Sequence, residues 1–130
     1  MLRIPKEIFE LIKTHGKKEV PLEACGYLAG DGEAAVEYIV MTNIDKSEEH
    51  FTFDPKEQFA AVKGARQKGL SLIAVVHTHP ASPARMSLED IKLANDPAIR
   101  YVILSLLDDK IACFKVDAEK NITTEKVEVA

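Results

Sequence analysis

The 130-residue sequence has only two cysteines, Cys25 and Cys113, and neither belongs to a CxxC pair. That argues against a disulfide framework and against a cysteine-rich zinc site, and it fits a reducing compartment. Any metal must therefore rest on histidine and carboxylate. Excess positive charge is missing too. Seventeen Lys and Arg stand against 21 Asp and Glu, for a net charge of −4 with no basic block. The electrostatic footprint of a nucleic-acid binder is absent, so partners are expected among small molecules and proteins. No apolar h-region follows Met1-Leu2-Arg3-Ile4-Pro5-Lys6-Glu7, and the longest apolar run, around Leu70 to Val76, is far too short to cross a bilayer. A cytoplasmic protein with no membrane partner is the expectation. Repeats, linkers and low-complexity segments are absent as well, and a chain with 46% hydrophobic residues can bury a real core. Residues 1–130 read as one domain.

The hydrophobic pattern places the elements. Ile4 to Gly16 opens with Pro5 at a first turn and carries Ile8, Phe9, Leu11 and Ile12 at helical spacing, which predicts an amphipathic helix ending near Gly16. Leu22 to Gly30 reads as a buried strand closed by Gly30-Asp31-Gly32, with Ala34 to Asn43 as its hairpin partner. Asp45 to His50 is polar loop, and Phe51-Thr52-Phe53 is a short strand stopped by Asp54-Pro55. A helix follows from Pro55 to Lys68, ended by Gly69. Leu70 to Thr78 is apolar almost without alternation, as a central strand covered on both faces should be. Pro80 and Pro83 make His79 to Met86 a loop, and Ser87 to Asn95 reads as a helix capped by Ser87. Ile99 to Leu107, Lys110 to Val116 and Ile122 to Val129 are three more strands. The fold class is α/β, a mixed β-sheet of about six strands flanked by helices.

Two of the four histidines, His77 and His79, lie two residues apart at the end of that central strand. Residues i and i+2 of a strand share a face, so both imidazoles can grip one ion. Asp90 supplies a third ligand, and three protein ligands with one open position are what a catalytic zinc uses. Ser87 and Asp90, three apart, share a helix face, so one could touch a bound substrate while the other holds metal.

Plainer readings exist for each part. A lone His-x-His is often incidental, and Ser87-Leu88-Glu89-Asp90 is also a helix start, with Ser87 as N-cap and Asp90 at N3 of a capping box. Cys25 reads as a small buried hydrophobe, and His15 and His50 as solvated side chains. What joins the two halves is their placement. A buried strand ends in the histidines, and a proline-rich loop returns the chain to the helix bearing Ser87 and Asp90.

Taken together, these residues resemble the JAMM, or MPN-plus, metallopeptidases, whose signature is an upstream Glu, then His-x-His-Pro, six residues, and Ser-x-x-Asp. His77-Thr78-His79-Pro80, Ala81 to Met86, and Ser87-Leu88-Glu89-Asp90 match every specified position. Glu23-Ala24-Cys25-Gly26 resembles the family's Glu-bearing strand, and Phe53-Asp54-Pro55 its entry to the second helix. The resemblance implies one zinc per chain on His77, His79 and Asp90, Glu23 as general base, and Ser87 as a hydrogen-bond donor to the oxyanion. It also implies a cytidine-deaminase-like three-layer arrangement. Small prokaryotic members similar to this chain cut the bond after the Gly-Gly tail of ubiquitin-like sulfur-carrier proteins, which makes such a carrier the expected substrate and leaves a homodimer open. The rival reading is a non-catalytic MPN scaffold that keeps a metal site. A closed structural zinc site conflicts with having three protein ligands, because such sites normally take four.

Overall fold

The computed structural model describes residues 1–130 as β1 (Leu2–Ile4), α1 (Lys6–Glu19), β2 (Cys25–Asp31), β3 (Ala34–Met41), α2 (Pro55–Gln67), β4 (Ser71–His79), α3 (Leu88–Leu93), β5 (Arg100–Ser105), β6 (Ile111–Val116), β7 (Ile122–Glu125) and β8 (Val127–Val129). All strands join one mixed sheet in the order β7-β6-β5-β4-β2-β3-β1-β8. Eight strands thus replace the six or so expected. Leu2–Ile4 is a strand of three residues, too short for any alternation to register. Ile122 to Val129 divides at Lys126 into two strands on opposite edges. Phe51–Phe53 contributes only a single bridge, Asn43 to Phe53.

That division dictates the shape of the sheet. β7 and β8 are its two outer strands, yet only Lys126 separates them in sequence. Neighbouring Cα atoms are about 3.8 Å apart, so the two edges must come together. They do: Leu2 N–H donates to the Lys126 carbonyl at 2.9 Å, the Met1 ammonium lies 3.2 Å from Glu125 Oε2, and Arg100 Nε donates to both Glu125 oxygens at 2.9 and 3.0 Å. The sheet curls almost into a barrel.

β4 is central, antiparallel to β2 and parallel to β5, which accounts for its near-continuous apolar run. Its residues still alternate between two cores. Val76 packs with Ile8 and Ile12 of α1 and with Leu28, Val102 and Leu104. Val75 packs against Cys25, Tyr27, Met41 and Ala61, the last from α2. The helices therefore cover opposite faces. α2 starts where expected, with Asp54 Oδ1 accepting the Lys56 N–H at 2.9 Å, and ends at Gly69, whose φ of +72° few other residues adopt. α1 does not stop at Gly16 but runs on to Glu19. A Cβ at Gly16 would come within 2.8 Å of Thr78 Cγ2, so this glycine marks close helix-to-strand packing rather than a helix end.

Candidate metal centre and its cleft

The register of β2 on β4 builds the site. Cys25 pairs with His77 and Gly26 with Val76, and continuing that antiparallel register sets Ala24 opposite Thr78 and Glu23 opposite His79. The chain holds to it beyond the end of β2: Thr78 N–H donates to the Ala24 carbonyl at 3.0 Å, and Ala24 N–H donates to Thr78 Oγ1 at 2.9 Å. Glu23 therefore lies just before the strand expected to carry it, since β2 begins at Cys25. Asn43 fixes it from the other side. Its Nδ2 donates to the carbonyls of Glu23 and His50, each at 3.0 Å, while its Oδ1 accepts Asp45 N–H at 3.1 Å. One buried amide thus ties the Glu23 segment to the 44–53 loop.

His77 and His79 leave β4 on the same face, with their Nε2 atoms 3.2 Å apart. Asp90 Oδ1 lies 3.2 Å from the first and Oδ2 3.0 Å from the second. A capping box delivers that carboxylate: Ser87 Oγ accepts Asp90 N–H and Asp90 Oδ2 accepts Ser87 N–H, both at 3.0 Å. The helix-start reading and the ligand reading of Ser87 to Asp90 are therefore compatible, because the cap aims the carboxylate at the histidines.

The donor set fits a divalent metal. Tetrahedral coordination with bonds of about 2.0–2.1 Å separates ligand atoms by about 3.3 Å, close to the spacings found among these three side chains. His79 Nδ1 lies 2.8 Å from the Pro83 carbonyl, which can only accept, so Nδ1 carries the hydrogen and Nε2 is free to bind metal, the usual outer support of a metal histidine. Glu23, His77 and His79 also form a group whose ligand atoms all lie within 4.8 Å of one another.

The two carboxylates differ electrostatically. Burial alone would raise Asp90, but hydrogen bonds from His77 and His79, with the Ser87 N–H, outweigh it and hold the carboxyl well below the usual carboxylate range. Glu23 is only 3% exposed and its Oε1 has no hydrogen-bond partner. Burial, reinforced by Asp90 and Glu49 and opposed by His79, pushes it up to about 8. Burial also lowers His77. His79 is raised, because the Asp90 carboxylate and the Pro83 carbonyl overcome its burial. The site pairs an anchored anion with a carboxyl able to gain or lose a proton near neutrality.

A cleft of about 660 Å³ opens over this centre, lined by Glu23, His79, Ser87, Glu48, Glu49 and Glu89, among others. Beyond His50 and Phe51 lies a second groove, with an aromatic wall of Tyr27, Phe51, Phe53 and Tyr101.

Residues 5–117 match the family of prokaryotic homologs of the JAB domain. The chain belongs to that family. It is 32% identical over 110 residues to the CysO-cysteine peptidase of Mycobacterium tuberculosis, across 83% of this chain and 75% of that protein. It is 35% identical over 96 residues to the probable TtuB-protein conjugate cleaving protease of Thermus thermophilus, across 72% of this chain and 64% of that one. A solution structure of a protein from Desulfitobacterium hafniense matches with a TM-score of 0.90 at 35% identity, covering 100% of this chain and 93% of the other. With named peptidases among its relatives, this prokaryotic JAB chain is a hydrolase.

The JAB fold brings all five flagged residues, Glu23, His77, His79, Ser87 and Asp90, to one place. Sequence reasoning missed the supports: Asn43, the Pro83 carbonyl, and the Glu48 and Glu49 wall. An Asn just after a strand and two acids in a polar loop carry no signal of their own. His15, expected in solvent, is buried at 8% exposure, with Nδ1 2.7 Å from Tyr38 Oη. It faces the sheet from the helical turn that Gly16 lets pack tightly. Cys25 is buried as a hydrophobe would be.

Proposed function

We propose that this chain is a zinc-dependent peptidase that hydrolyses the bond after the Gly-Gly tail of a ubiquitin-like sulfur-carrier protein, with one zinc per chain held by His77, His79 and Asp90. The observation that carries the reading is Glu23. A buried carboxyl with an unpartnered oxygen beside a histidine pair and an anchored aspartate is costly to keep, and its use is as a proton acceptor. Asp90 suits the metal better than Glu23, because it touches both imidazoles and stays ionised.

Held by His77, His79 and Asp90, a zinc ion would supply a Lewis acid for the scissile carbonyl and a water whose pKa is lowered to about 7. Glu23 Oε1 accepts a proton from the attacking water and passes it to the leaving nitrogen. The Ser87 oxygen already accepts Asp90 N–H, so its own hydrogen is free to be donated where negative charge gathers on the carbonyl oxygen. An extended glycine tail carries no side chains and is best able to reach between Glu23 and Ser87, which both line the cleft. The names of the Mycobacterium and Thermus relatives support a carrier conjugate as substrate, and the buried free cysteines suit work in the cytoplasm.

The test is cleavage of a carrier conjugate by the zinc-loaded protein, its loss with a chelator, and its return with zinc. Equal rates on unfolded casein would count against the tail-specific reading.

A further inference from the structure

We propose that Lys120 is a latch on α3: its ammonium holds the C-terminal end of the short helix that carries Asp90, and so keeps Asp90 against His77 and His79. Resting on the metal reading above, this adds a positioning residue that lies outside the cleft.

Asp90 is the one proposed ligand that β4 does not supply. It rides on α3, six residues from Leu88 to Leu93, and a helix that short has little stability of its own. Asp90 is its one buried residue. Leu88 and Leu93 stand 87% and 48% exposed, so apolar burial does little to hold the helix in place. The capping box of Ser87 and Asp90 closes its N-terminal end. The carbonyls at the other end have no helical N–H to accept and need partners from elsewhere in the chain.

Lys120 supplies them. From the turn between β6 and β7, its Nζ donates to the Ala94 carbonyl at 2.6 Å, to Asn95 Oδ1 at 3.0 Å and to the Lys92 carbonyl at 3.4 Å. Three acceptors use all three ammonium hydrogens, and bonds from a charged donor are stronger than neutral ones. The turn itself is stiff. Asp117 Oδ1 accepts the N–H groups of Glu119 and Asn121 at 3.0 and 2.8 Å, and the Lys120 N–H donates to the Asp117 carbonyl at 3.0 Å. Lys120 has a φ of +66°, a left-handed conformation that glycine adopts without strain. Val116, at the end of β6, and Ala94, just after α3, share one core cluster with Tyr101, so turn and helix end stand on the same base. Tyr101 Oη, bonded to the Asp96 N–H and carbonyl at 2.9 and 3.0 Å, fixes the chain beyond and leaves the helix end to Lys120.

With that end released, α3 can carry Asp90 off the histidines, and a metal then meets two protein ligands in place of three. Apparent affinity for the metal scales with the fraction of molecules in which α3 is seated. A single charge on a turn outside the cleft thereby sets how well the metal is held.

The experiment compares wild type with Lys120→Met, which keeps the stem and removes the charge, and Lys120→Arg, which keeps charge and donors. All metal-free forms should melt close to wild type. Competition with a chromophoric chelator should show zinc held about fivefold or more weakly by Lys120→Met, the scale of one lost charged hydrogen bond, and nearly normally by Lys120→Arg. Amide hydrogens of residues 90–94 should exchange faster in metal-free Lys120→Met, with β4 and β5 unchanged. In an Asp90→Ala background, adding Lys120→Met should weaken the residual zinc binding no further, because the latch acts through Asp90. Wild-type zinc affinity in Lys120→Met overturns the proposal, and so does an equal loss in the Asp90→Ala background. If wild type takes up no zinc, the metal reading itself falls and takes the latch with it.

Discussion

Thr78 and Ala24 hold each other twice: the Thr78 N–H donates to the Ala24 carbonyl at 3.0 Å, and the Ala24 N–H donates to Thr78 Oγ1 at 2.9 Å. The residue between the two histidines thus anchors the backbone next to Glu23. Glu23 and the histidine pair are positioned by one strand end.

Thr78→Val should expose that dependence. Valine keeps the shape but removes the acceptor for a buried N–H, at a cost of about 1–3 kcal/mol. Melting temperature and kcat should both fall while zinc content and KM change little, and Thr78→Ser should restore most of both. Equal melting and turnover for the Val and Ser variants would remove Thr78 from this role.

Purified protein should carry about one zinc per chain. His77→Ala, His79→Ala and Asp90→Ala should each lose tight binding, as read by elemental analysis after dialysis. Stoichiometric zinc in the double His variant would refute the ligand assignment.

Glu23→Gln keeps the size of the side chain but cannot take a proton. Zinc content and folding should survive while turnover drops at least about 10²-fold. Stability without metal gives a second readout. Folded Glu23 is raised to about 8, so the unfolded chain ionises first, and Glu23 weakens the fold as pH rises from about 4.5 toward 8. Glu23→Gln should remove that part of the slope in denaturant titrations.

Ser87→Ala should retain zinc and lose about 10²-fold in kcat, in the range of one oxyanion donor. The same change removes a helix cap worth about 1 kcal/mol, so its melting curve must accompany the kinetics. Ser87→Asp, which caps but cannot donate, should recover stability without recovering rate.

His15 predicts an acid limit. Burial, with a smaller push from Lys18 and against the pull of Glu19, holds it below its ordinary value. As pH falls below about 6.5, the unfolded chain takes a proton that folded His15 resists. Stability should decline there until folded His15 also protonates, and His15→Gln should flatten that decline in urea midpoints measured from about pH 7 to pH 5.

The site was more legible in the sequence than the sheet. His77, His79, Ser87 and Asp90 are fixed by local geometry, a two-residue strand period and a three-residue helix period, which spacing reports directly. Glu23 reaches them through strand pairing across more than fifty positions, and no local period marks it; only its likeness to a known pattern did. β4 was plain because it is buried on both faces. β1 and the division at Lys126 were not, because three-residue strands have no period to read and their partners lie at the far end of the sequence. Gly16 was misread because a glycine that ends a helix and one that lets a helix approach a strand look the same in sequence.

The seam between β1 and β8 also has a kinetic meaning. Leu2 pairs with Val127 and Ile4 with Val129, so closing it means bringing together segments separated by nearly the whole described chain, the most expensive loop to close and the contact expected to form last. By the same reasoning it is the first to open. Amide hydrogens of residues 127–129 should exchange through local fraying, far faster than those of β4 and β5, and each opening uncovers Leu2 and Ile4 while the His77 and His79 cluster, anchored several strands away on β4, stays assembled.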